Sequence, residues 1–181
     1  MGFSPRVEGT CTIRAEPRAF VSAFARRIET GLLRGASPRR CGYLVTRQQD
    51  DGLAFRATNW LTAFNVGLND VELTISSSGR VGYTIQYRRW ATSAVFFCGG
   101  LGLALGAFFL VFDIRAYVEQ HAASRIPGLS MDQNVAIAWA MAFFWGFVWP
   151  WILIALHKRP VGRLMQQLIA EVDAVSMTGK C

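Results

Sequence analysis

The sequence is poor in the residues that enzymes use for proton transfer and metal capture. It has 2 His, His121 and His157, and neither has a nucleophile or carboxylate at a telling spacing. Its 4 Cys, Cys11, Cys41, Cys98 and Cys181, share no short spacing, which argues against a zinc site and against a disulfide framework. Lysine is nearly missing, with Lys158 and Lys180 alone among 19 basic residues. We read the arginine excess as the codon bias of a GC-rich genome rather than as guanidinium chemistry. The glycines of the 98–106 segment are followed by no Lys-Ser/Thr pair, so they are not a phosphate loop. Asp50-Asp51-Gly52 is turn chemistry before it is a metal site. The expectation is therefore no catalytic residue, no metal and no cofactor. The first 20 residues hold Arg6, Glu8, Arg14, Glu16 and Arg18 and no apolar core, so no secretory signal is expected there.

Charge is also missing from two long runs. Residues 91–112 and 135–156 are each 22 residues without Asp, Glu, Lys, Arg or His. At 1.5 Å per residue such a helix is roughly 33 Å long, enough for a hydrocarbon core of about 30 Å. Arg88, Arg89 and Trp90 precede the first run, and His157, Lys158 and Arg159 follow the second, as anchors at a headgroup layer would. The expected organisation is a small domain over 1–90, a transmembrane helical hairpin over 91–156 with its outer loop at 113–134, and an amphipathic helical tail over 157–181.

The net charge of +7 is uneven. Residues 1–90 carry 13 Arg against 7 acidic residues, the 113–134 connection is slightly acidic, and the tail is basic. By the positive-inside rule both termini are expected in the cytoplasm, in a multi-pass protein of a cell membrane, here a bacterial inner membrane. Ionisable groups at depth mark ion and proton pathways, and their absence from both runs argues against active transport by a lone hairpin.

Small residues recur every fourth position in each run. Ala94, Cys98, Gly102 and Gly106 form one groove, and Ala138, Ala142 and Gly146 with Pro150 form the other. Such grooves let backbones approach closely, and the two are expected to face each other within one chain. A dimer seam at Gly102 and Gly106 is the alternative. The second run is rich in aromatics, and Pro150 frees a carbonyl near Gly146 where the helix can kink. Ser130 and Gln133 fit a capping box ahead of it.

Within 1–90 the pattern alternates with period two at Val7 to Ala15, then shifts to a helical period with Phe20, Phe24, Ile28 and Leu32. Gly35 is the expected helix stop, and 35–40 a loop. Further alternation at 43–48, 53–57, 71–75 and 81–87 gives four more strands, with 58–65 open between a short helix and a bent crossover. The order β-α-β-β-β-β implies a small α+β domain with an antiparallel sheet and one helix on one face. Val161, Leu164, Met165, Leu168, Ile169, Val172 and Val175 make a helical stripe, opened by Pro160. That tail can dock on the sheet, the preferred reading, or lie on the membrane.

Arg34, Arg39 and Arg40 form the best local basic patch. With Arg88, Arg89, Lys158 and Arg159 they are candidate contacts to lipid headgroups, at about 1 kcal/mol per charge near the surface. The blander reading of the loop patch is a solvated face. No nucleic-acid reading motif is present, so nucleic acid is not an expected partner. Membrane lipids are, together with a partner protein or a second copy of the chain. The functional expectation is a non-enzymatic, membrane-anchored interaction or scaffold module. A lipid or small-ligand binder is the alternative, and an enzyme of unrecognised type the third.

Overall fold

A computed structural model describes residues 5–32, 42–121 and 125–178. The expected loop at 35–40, the Arg34, Arg39 and Arg40 patch, Cys41 and Cys181 lie outside the described residues. The chain forms two compact units, Met1–Ala91 with Leu156–Cys181, and Thr92–Ala155.

The first unit is a five-stranded antiparallel sheet with helices on one face. Its elements are β1 (Arg6–Thr12), α1 (Pro17–Thr30), β2 (Tyr43–Gln49), β3 (Gly52–Ala57), α2 (Trp60–Val66), β4 (Asp70–Ile75) and β5 (Arg80–Gln86). The sheet order is β1-β5-β4-β3-β2, a meander from β2 to β5 with β1 added at the open edge. Alternation sets the register: Val71, Leu73 and Ile75 of β4 pair with Ile85, Tyr83 and Val81 of β5, and all six are buried. The two tight turns fall where turn residues stand, at Asp50-Asp51 and at Ser76 to Gly79. Gly79 takes φ +74°, and a Cβ there would press on the Ile13 carbonyl at 2.9 Å.

Two boundaries differ from expectation, and one open stretch is resolved. Helix α1 ends at Thr30, not at Gly35, because Gly31 follows with φ 120°, a conformation that L side chains rarely adopt. Leu32 lies beyond the helix yet is still buried. The 58–65 stretch, open between a short helix and a bent crossover, takes the helix: α2 runs to Val66, is capped by Asn59, whose side chain accepts from the Thr62 amide, and is closed by Gly67 at φ 75°. Pro160 does not open the tail helix. It lies inside α6 (Trp149–Thr178). An internal proline costs roughly 3 kcal/mol. Burial of Val161, Met165, Leu168, Ile169 and Val172 against the domain core offsets that, at about 1.5–3 kcal/mol per fully buried apolar side chain.

The tail therefore docks on the sheet. Phe20, Phe24 and Ile28 of α1 and Val161, Met165 and Ile169 of α6 share one cluster with the inward residues of the strands. The opposite face of the sheet is left exposed.

The second unit contains most of α3 (Arg88–Val111), then α4 (Ile114–Gln120), α5 (Met131–Phe143), a π-helical turn at Phe144–Val148, and the start of α6. The π turn falls just ahead of Pro150, which cannot donate to the Gly146 carbonyl. Ser130 and Gln133 form the reciprocal capping box of α5. Asp113 caps α4 through the Arg115 and Ala116 amides. Arg115 pairs with Asp132 at 2.8 Å across the connection. Two helical stretches, Arg88–Val111 and Met131–Thr178, are long and apolar enough to cross a membrane.

Candidate interaction surfaces

Every fourth residue of α6 from His157 onward, namely His157, Val161, Met165, Ile169 and Asp173, falls on one helical face. The three central members are core residues. The two polar members fasten the ends. Asp173 accepts hydrogen bonds from the Arg14 amide at 3.0 and 3.2 Å and from the Ala15 amide at 2.9 Å. The His157 ring stacks on Trp90 at 3.9 Å between centroids and 6° between planes, and meets Tyr87 edge-on at 5.6 Å.

His157 is tightly enclosed. A Cβ on Gly67 would collide with its Nε2, and that nitrogen is buried with no hydrogen-bond partner among the described residues. Desolvation holds its pKa below the ordinary value of 6.5, because burial disfavours the charged imidazolium. Burial likewise raises Tyr87 and Tyr43. Tyr83 is also raised by burial, partly countered by its hydrogen bond with Gln166.

The exposed sheet face carries Glu8 and Thr10 of β1, Glu72 and Thr74 of β4, and Arg56 of β3. A shallow depression of about 280 Å³ lies there, lined by Thr46, Arg56, Asp70, Glu72, Thr84 and Gln86. A second groove, of about 550 Å³, runs between α1 and α6 and is lined by Arg26, Arg27, Thr30, Glu171 and Val175. Arg27 and Glu171 span it at 3.8 Å.

In the second unit, Gly102 and Gly146 lie back to back. A Cβ on Gly102 would stand 2.6 Å from the Gly146 Cα and 3.4 Å from the Ala142 carbonyl, and one on Gly146 would stand 3.5 Å from the Cys98 carbonyl. Ala94, Cys98 and Ala142 are buried, and Ala138 is half-buried. Gly106 is looser, its nearest neighbour being the Trp139 ring at 3.6 Å. An apolar groove of about 410 Å³ opens there, lined by Leu103, Gly106, Trp139, Phe143 and Phe147.

Arg88, Arg89, Lys158 and Arg159 are all exposed. Arg89 donates to the Ala57 carbonyl at 3.0 Å. Asp50 pairs with Arg18, Arg56 is on the exposed face, and Tyr83 is under α6. Among the described residues, no group of three or more His, Cys, Asp or Glu could hold a metal ion. Asp173 is what sequence reasoning missed, and His157, expected as a headgroup anchor, instead has its ring against Trp90 and Tyr87 with a buried Nε2. The available signal was a carboxylate and an imidazole in register with the apolar stripe of the tail. Compared with known protein families, with curated proteins and with solved structures, the chain matches none.

Proposed function

We propose that this chain is a non-enzymatic, membrane-anchored interaction module. Residues 91–112 and 135–156 cross a cell membrane as a hairpin, with both termini cytoplasmic and 113–134 outside. A bacterial inner membrane suits the arginine-rich flanks. The observation that carries this reading is the single core built from both ends of the chain. Val161, Met165 and Ile169 pack with Phe20, Phe24 and the strands. Segments sharing one core lie on one side of a bilayer, which supports an even number of crossings between them. The basic residues on both flanks support the cytoplasmic side.

What the anchor presents is the uncovered sheet face. Glu8, Thr10, Arg56, Glu72 and Thr74 stand exposed on it, and an antiparallel sheet can leave one face in water. Its mixture of both charge signs and hydroxyls suits a protein partner, another protein or a second copy. Arg88, Arg89, Lys158 and Arg159 hold the headgroups. The test is a photo-crosslinking amino acid at Thr84, with one at Arg18 as the control, in native membranes. The expected result is a discrete adduct from Thr84 alone, abolished by Glu72→Arg. Equal labelling from both positions, or an adduct indifferent to Glu72→Arg, overturns the reading.

A second reading rests on the apolar groove beside Gly106 and Trp139, whose volume of about 410 Å³ and apolar lining suit an acyl chain. Native mass spectrometry of the detergent-purified protein would show a retained lipid, lost on Gly106→Leu, and an unliganded mass in both forms would dismiss it.

A further inference from the structure

Strand direction decides which connections share an end of the sheet. Strands β3 and β5 are both antiparallel to β4, so they run the same way and leave the sheet at the same end. β5 leaves into Arg88 and α3. β3 leaves into α2. The edge strands agree, since Tyr43 pairs with Ala57 and Arg6 with Gln86. α6 enters this unit at the same end, where His157 meets Tyr87, Trp90 and Gly67. The end that holds α2 is thus the end from which the backbone departs for the apolar helices and to which it returns.

Helix α2 is pinned on one side. Ala63 is buried, a Cβ on Gly42 would collide with Thr62, and the Arg89 guanidinium reaches the Ala57 carbonyl just ahead of it. Its first two residues face the other way: Trp60 is 59% exposed and Leu61 64%. Within the described part of 5–91, the large hydrophobics that stand exposed are Leu44, Trp60 and Leu61, and all three are at this end. The opposite end carries the Asp50-Asp51 and Ser76–Gly79 turns, and the tail's exposed Val175 and Met177 lie beyond Asp173 there. Arg56, Arg88, Lys158 and Arg159 are exposed close in sequence or pairing to the α2 end.

We infer that α2 is a membrane-surface element: Trp60 and Leu61 sit in the headgroup layer, and the neighbouring cations bind anionic lipid. Trp is suited to that depth, with an apolar body and one polar N–H. Cations near such a surface add attraction that falls off within a Debye length. The element fixes which end of the sheet faces the bilayer and keeps the polar sheet face clear of it. This inference rests on the membrane reading proposed above.

A polarity-sensitive fluorescent amino acid placed in the full chain at Leu61, Thr84 or Leu103, one at a time, tests it. All three positions can accept it without disturbing the core. Vesicles contain equal parts phosphatidylcholine and phosphatidylglycerol, with spin labels at the headgroup or mid-chain as quenchers. The expected result is headgroup quenching and a blue shift at position 61, an aqueous spectrum at 84, and mid-chain quenching at 103. An aqueous spectrum at 61 with mid-chain quenching at 103 overturns the inference and leaves the membrane reading standing. Equal headgroup quenching at 61 and 84 overturns it too, since the domain then lies flat. An aqueous spectrum at 103 removes the membrane reading and the inference together.

Discussion

Replacing Asp173 by Ala tests whether the tail is locked onto the domain or only rests on it. The carboxylate accepts from two successive backbone amides, at 2.9 to 3.2 Å. It also supplies a negative charge ahead of α1, whose own first turn has no acid and whose N-cap makes no side-chain hydrogen bond. Hydrogen bonds to charged acceptors are worth about 1.5–3 kcal/mol each. The Arg14 amide is solvent-accessible and counts for less, whereas Ala15 is buried and its orphaned N–H would cost about 1–3 kcal/mol. Asp173→Ala should therefore destabilise the first unit by roughly 2–3 kcal/mol. For a domain of this size that lowers Tm by about 10 °C. Asp173→Asn keeps one acceptor oxygen and should lose about half as much. Arg18→Ala is the control. Its pair with Asp50 is 71% exposed on both sides, and such pairs contribute at most about 1 kcal/mol. Calorimetry gives the Tm, and hydrogen exchange reads the Arg14 and Ala15 amides directly. If Asp173→Ala melts with wild type and those amides keep their protection, the lock is not there.

Two further predictions concern the second unit and the other end of α6. Gly102→Ala should loosen the α3–α5 contact by about 1–3 kcal/mol, since backbone must move, while Gly106→Ala and Gly100→Ala should be near neutral. Unfolding in mixed micelles separates these, and equal effects at all three glycines would refute the assignment. His157, held neutral, takes up its proton more readily when the chain is unfolded. Its contribution is thus fully present above pH 6.5 and declines as pH falls from there toward its lowered folded pKa. Denaturant titrations from pH 8 to 5 should show that slope, and His157→Phe should flatten it. An unchanged slope in the variant would place the titration elsewhere.

The strands were legible because a half-buried sheet writes its face into alternate residues, as at Val71, Leu73 and Ile75. The two apolar runs were legible from the absence of charge. Ends were harder. Gly31 and Gly35 are equivalent stops on paper, and the backbone places the stop at Gly31, whose φ is positive. Pro160 has the look of a first-turn proline, but the packing of Val161 and Met165 behind it carries α6 straight through. Within the GxxxG pair the two glycines read alike, yet only Gly102 meets a backbone. The fastening of the tail by Asp173 was hidden because its partners are amides, which every residue owns. The exposed pair on α2 was hidden because 58–65 has no clear period.

The construction from both ends has a consequence for the order of folding. Strands β1 to β5 and α1 are complete before residue 91, but the core that buries their inward residues also includes Val161, Met165 and Ile169. Those residues exist only after both apolar helices have been made. Until the chain returns, part of the apolar sheet face has no cover, and a bare sheet face invites association. Local pairings such as β2–β3 and β4–β5 need only tight turns, whereas α6 must close a loop of the whole hairpin. That closure costs little more than a shorter one would, since loop entropy grows as the logarithm of length. If the hairpin sits in a bilayer as proposed, insertion holds residues 91 and 156 on one side and shortens the search further. The membrane would then act on the fold as a staple between its halves, and the polar ends of the α6 stripe, His157 and Asp173, fix the register in which the returning helix lands.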